Sequence, residues 1–220
     1  MIARRLVIAI AGLAVVASTA SAQATSTPNA SRGYVEVVAQ SAFGNVTSQS
    51  YGVEAGATIW ENVQIFGEVG KVRNVATEAL GASAQQVAAG LALVQSAAVT
   101  YSVKEPVTFF GGGVRYPFVV PDSKVTPYVL GGFGAAQVTK DVAFQLGGVA
   151  ATAATLAPYV TIGTDLSGDF TKPMLILGGG VVVPVWHQVI VDLQYRFGRI
   201  LADDQGFTVH RAGLGLGVRF

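Results

Sequence analysis

Segments of about ten residues, in which apolar side chains alternate with small, polar or charged ones, recur along this chain, and the last of them ends on its final residue. In HRAGLGLGVRF, the residues Phe220, Val218, Leu216, Leu214 and Ala212 share one face of an extended strand. Arg219, Gly217, Gly215, Gly213 and Arg211 share the other. GYVEVVAQSAFG sets Val35, Val37, Ala39 and Phe43 against Glu36 and Gln40. SYGVEAGATIW sets Tyr51, Val53, Ala55, Ala57 and Ile59 against Glu54 and Thr58. VQIFGEVGK, PVTFFGGGVRYPFVV and WHQVIVDLQYRFG follow the same rule, with Gln64 and Glu68, then Arg115, then Asp192, Gln194 and Arg196 on their polar faces. TPYVLGGFGAAQV and KPMLILGGGVVVPV are so rich in glycine and aliphatics that their faces stay ambiguous. Period two demands a sheet, and the count of strands is eight.

The beginning of the chain decides which solvent the apolar face meets. MIARRLVIAIAGLAVVASTASAQ has two arginines, a short apolar run from Leu6 to about Ala17, and Ala20-Ser21-Ala22 before Gln23. This is the order of a secretory signal, expected at 1–22 with cleavage after Ala22, and the apolar run is too short to span a bilayer. A disordered segment is expected at 23–32 and one domain at 33–220. Without Arg4 and Arg5 the chain carries 12 basic against 13 acidic residues, so nucleic acid is not an expected partner. There are no cysteines, hence neither disulfides nor a thiolate metal site. Charged residues make up 12% of the chain, about half the usual share. An exported, charge-poor chain without a later spanning helix has a closed β-barrel as its way of living in lipid.

The connections support this reading. Glu61-Asn62, PDSK (121–124) and about Pro184 to His187 are short. Asn45 to Gln49, Arg73 to Glu105, Lys140 to Thr171 and Arg199 to Gly206 are longer. Short turns on one rim and longer loops on the other is the outer-membrane arrangement, with short turns and both termini periplasmic. Glu36, Glu54, Glu68, Arg115, Asp192, Arg196, Arg211 and Arg219 all lie opposite the apolar face. They are expected to form an ion-pair network in a narrow lumen, since an Arg or Lys at the lipid midplane costs about 2–4 kcal/mol.

GGGVRYPF (111–118), TPYVLGGFGAAQV (126–138), KPMLILGGG (172–180) and VDLQYRFGRI (191–200), with the terminal aromatic, resemble small outer-membrane β-barrel domains of the OmpA/OmpX type. The resemblance covers roughly Gly33 to Phe220. It implies an all-β fold: an eight-stranded antiparallel up-and-down transmembrane barrel in the bacterial outer membrane. It also implies a monomer surrounded by outer-membrane lipid. Leu214, Leu216, Val218 and Phe220 resemble the C-terminal signal that such barrels present to periplasmic chaperones and the barrel-assembly machinery. Fold alone does not transfer an activity.

The two longest loops carry helical stripes. Leu80, Ala84, Val87, Leu91, Val94 and Ala98 recur at spacings of four and three, and Val142, Leu146, Val149, Ala153 and Leu156 repeat the pattern. A short helix is expected in each, packed as a cap over the mouth, folded into the lumen, or mobile at the surface. Trp60, Trp186, Tyr128 and Phe220 are expected in a girdle at the periplasmic rim. His187 and His210 are the only histidines, and no serine stands at strand spacing from His210. Asp203-Asp204 reads as a solvated loop tip. No catalytic, cofactor or metal residues are expected. Two functions fit: a structural or surface-interaction barrel, or a narrow channel lined by the lumen charges.

Overall fold

The computed structural model describes residues 32–160, 163, 166–202 and 206–220, so the signal segment, its cleavage site and Asp203-Asp204 lie outside the described residues. Eight strands form a closed antiparallel ring: β1 (Gly33–Phe43), β2 (Ser48–Trp60), β3 (Val63–Val72), β5 (Val107–Pro117), β6 (Thr126–Leu146), β8 (Ser167–Trp186), β9 (Val189–Ile200) and β10 (Phe207–Arg219). The first and last strands make the seam, from Tyr34 opposite Arg219 to Phe43 opposite His210. Gly33 and Phe220 exchange backbone hydrogen bonds of 2.9 and 3.0 Å at its end. No helix among the described residues is long and apolar enough to cross a membrane.

The ambiguous strands resolve by parity. Tyr128, Leu130, Ala136 and Val138 of β6, and Met174 and Ile176 of β8, are buried inside the ring, while Val129, Phe133 and Leu177 face outward. All three short turns use a non-glycine residue at positive φ: Glu61 at 31°, Asp122 at 60° and His187 at 46°. β8 runs through Pro184 to Trp186, so the turn there is His187-Gln188. The turn expected at PDSK spans 118–125.

Above the ring the structure departs from the expected loops. Lys140 to Leu146 continue β6, and β8 begins at Ser167, so these two strands stay paired as far as Asp141 opposite Ser167. Where β5 ends at Val107 opposite Val138, the strand β4 (Val99–Lys104) takes over the same edge of β6. Gly147-Gly148, at φ 58° and 82°, turn the chain from β6 into the two-residue β7 (Val149–Ala150). Both positions of such a two-residue hairpin need positive φ, which glycine adopts at no steric cost.

The helix α1 (Glu78–Val94) stands beside this extension. Thr77 caps it by accepting the Leu80 N–H at 3.3 Å, and Glu78 suits the positive end of the helix dipole. It buries Leu80, Ala84, Ala88 and Leu91; Val87 is half-buried, Val94 is exposed, and Ala98 falls past its end. The second helix, α2, is one turn, Ala153–Leu156. The helical reading of Val142, Leu146 and Val149 is corrected: Val142 and Leu146 lie on β6 and Val149 on β7. Val142, Phe144, Leu156 and Leu166 pack with the buried face of α1 in one apolar cluster.

Candidate functional site

The lumen has two chemically different halves. Toward the short turns it is polar, because inward positions of β1, β2, β5, β6 and β9 bring charges from non-adjacent strands together. Glu54 of β2 takes Arg196 Nη2 at 2.6 Å through Oε2 and Arg115 Nη1 at 3.2 Å through Oε1. Arg115 Nη2 lies 3.5 Å from Asp192 Oδ2, which also accepts the Tyr128 hydroxyl at 2.7 Å. The Tyr34 hydroxyl donates to Glu54 at 2.7 Å, and the Arg115 guanidinium sits between the Tyr34 and Tyr128 rings, 4.5 and 3.5 Å from their centroids. Gln194 donates to Glu36 at 3.0 Å, and Gln40 donates to Gln194 at 3.2 Å. Gly56 leaves the place that the Tyr34 ring occupies, since a Cβ there would collide with it.

Higher up, Arg211 donates to Glu68 at 2.8 Å and lies 4.1 Å from the Phe109 centroid. The space left among Gln40, Ser50, Glu54, Glu68 and Arg211 is about 10 Å³, room for about one water. Above this level the lumen turns apolar: Val72, Val107, Val138, Met174, Ile176, Ile200 and Val209 fill it, joined by Val75 from the loop after β3.

Of the residues expected in a lumen network, Glu36, Glu54, Glu68, Arg115, Asp192, Arg196 and Arg211 are buried inside the ring; Arg219, at the rim, is half-buried. Tyr128 is corrected from girdle to lumen, where it is 2% exposed. Tyr34, Phe66 and Phe109 are buried inside with them, on the parity of Glu36, Glu68 and Arg115. Leu214, Leu216, Val218 and Phe220 face outward and are exposed, as are Trp60 and Trp186.

Over the apolar layer opens a cavity of about 810 Å³ at the long-loop rim, lined among others by Lys140, Lys172, Arg199, Glu78 and Glu105. Glu105 ties α1 to the ring: its Oε2 accepts the Thr77 N–H at 3.0 Å and its carbonyl accepts the Val75 N–H at 2.9 Å. Asn74 Oδ1 accepts the N–H groups of Ala76 and Glu105 at 3.0 and 2.9 Å. Burial pushes the Glu105 carboxyl above its ordinary range, against the Thr77 hydrogen bond and nearby Lys140. His210 is enclosed by aromatic rings: Phe43 stacks on it, Phe197 meets it edge-on, and the Tyr195 hydroxyl lies 2.6 Å from Nδ1. Among the described residues no three His, Cys, Asp or Glu side chains gather to hold a metal ion.

No curated protein matches the chain. Among solved structures, it is similar to a major outer membrane protein of Thermus thermophilus, at 12% identity and a TM-score of 0.50, over 86% of this chain and 99% of that one. Neisserial surface protein A aligns at 16% identity and a TM-score of 0.49, covering 86% and 96%. The N-terminal barrel domain of Pseudomonas aeruginosa OprF aligns at 16% and 0.49, covering 87% and 100%. The outer membrane protein beta-barrel domain matches residues 9–220, nearly the whole sequence. The chain belongs to this family of bacterial outer-membrane β-barrels.

Proposed function

We propose that this protein is a non-conducting, non-enzymatic barrel whose work is structural or lies in surface interaction, with its long loops extracellular and its short turns and termini periplasmic. The observation that carries this reading is the set of ion pairs from Glu54 to Arg115 and Arg196, which bridges strands that are not neighbours in the ring. Side chains that span the lumen and are pinned at both ends leave no continuous water path, and the apolar layer above them adds a second barrier. Material that reaches the surface is the β4–β6–β8 extension with α1, together with the cavity at its foot. His210, half-buried among aromatic rings on the outward face, suits an interface and not proton transfer to a substrate.

In this reading Leu214, Leu216, Val218 and Phe220 form the outward apolar row presented to periplasmic chaperones and assembly machinery. A signal peptide at 1–22 brings the chain to the periplasm, and the mature protein is a monomer in outer-membrane lipid. Conductance of the refolded protein in planar bilayers tests the central claim, beside a form lacking Val75 to Ala98. Silence in both is expected. Steps in the intact protein would establish the narrow channel instead; steps only after deletion would make the loop region a gate.

A further inference from the structure

The outward face of β9, β10 and β1 is not uniform. At the long-loop rim, Arg199 donates to Thr208 at 3.1 Å, and one level further in, His210 is braced by Phe43 and Phe197. A tyrosine hydroxyl donating to Nδ1, as Tyr195 can, leaves Nε2 protonated and turned away as a donor. Below this shelf the facing residues shrink. Ala212 pairs with Ser41 and Leu214 with Ala39, so the middle of the face is a depression beside Tyr195 and Leu193. It leads into an apolar groove of about 450 Å³ formed around Ala39, Val37, Val191, Leu214 and Leu216. From His210 to Leu216 the strand covers about 20 Å, a length suited to an extended acyl chain.

We propose that this face is a specific site for one phosphorylated, acylated lipid of the outer leaflet. Its phosphate is held by Arg199 with help from Thr208 and His210 Nε2, and one chain lies over Ala212 and Ala39. Three features select this occupant. The cationic and hydrogen-bonding groups stand at the rim, where headgroups lie. A guanidinium and an imidazole N–H complement a phosphate. The groove is apolar and lies on the same strands as that rim, further in. The leaflet assignment rests on the proposed placement of the long loops outside the cell.

The test is lipid retention by the refolded full-length mature protein in micelles, read by native mass spectrometry with bisphosphorylated lipid A, its dephosphorylated form and phosphatidylethanolamine as probes. One bound lipid A per barrel is expected, held about tenfold more tightly than either other lipid. Arg199→Gln should weaken lipid A about tenfold, and Ala39→Leu, which fills the groove without touching the lumen, should weaken all three lipids. Lys71→Gln, on the outward face of β3, should change nothing. Equal retention by the wild type, Arg199→Gln and Ala39→Leu would overturn the site. Full competition by inorganic phosphate would reduce it to a headgroup contact, and a dimer that excludes lipid would give the groove to a second copy. Labelling of a cysteine introduced at Gly148 in intact cells checks the loop placement separately: failure there overturns the outer-leaflet assignment while micelle retention still judges the site.

Discussion

The two halves of the lumen are filled by opposite means. Near the short turns, Glu54, Asp192, Arg115 and Arg196 interlock with Tyr34 and Tyr128, and Glu36 accepts from Gln194. Near the long loops, Val107, Val138, Met174, Ile176 and Val209 pack as in a soluble core. The charged half depends on every partner, because a buried charge is tolerable only while it is matched. The apolar half degrades gradually, methylene by methylene. A barrel interior thus combines one part that specifies geometry with one that fills space.

Glu54 is the point at which to break the charged half, since two arginines share it. Glu54→Ala should lower stability by about 3–5 kcal/mol, seen as a fall in the denaturant midpoint of the refolded barrel. An Arg115→Gln, Arg196→Gln double change on that background should recover part of the loss; no recovery would show that charge matching is not the cause. In the apolar half, Ile176→Ala should cost about 2–4 kcal/mol through transfer and cavity terms. A pocket lined by apolar side chains should stay silent in bilayers, whereas steps from Ile176→Ala would show that this layer is the principal barrier.

Smaller effects sharpen the contrast by leaving the lumen alone. The raised Glu105 carboxyl favours the folded loop when protonated. Its contribution is therefore full below the ordinary glutamate range and declines as pH rises through the elevated folded value. Hydrogen exchange in α1 should accelerate over that rise, and Glu105→Gln should flatten the dependence while the barrel midpoint stays put. Smallest of all, His187→Gly relieves a positive φ at the turn between β8 and β9. A gain of about 0.5–1 kcal/mol is expected in the unfolding midpoint, offset where glycine gains entropy in the unfolded chain.

Much of the ring was legible because period two sorts residues unambiguously wherever one face carries charge. Glu36, Glu54 and Asp192 each fixed the parity of their strand. Parity gives no answer where both faces are apolar or glycine, as in β6 and β8, and periodicity gives none where a spacing of four fits two structures. Val142 and Leu146 share a face in a helix and equally in a strand. Phe144 between them, buried with Val142, is the residue that separates the cases. β4 escaped because VTYSVK is short and stands just after a helix. Tyr128 was misplaced because nearness to a turn in sequence says nothing about which way a ring points. The union of Glu54 with Arg115 and Arg196 depends on ring closure and shear, which no single segment encodes.

The pairing of β6 with β8 continues unbroken from Thr126 opposite Val182 to Asp141 opposite Ser167, sixteen successive positions that pass from the ring into the extension. Tension applied to the extension along its strands would therefore load this ladder in shear, with many hydrogen bonds strained together instead of one at a time. The extension is built as a mast stepped into the hull, a ladder suited to carry a mechanical load that loops hinged at the rim could not.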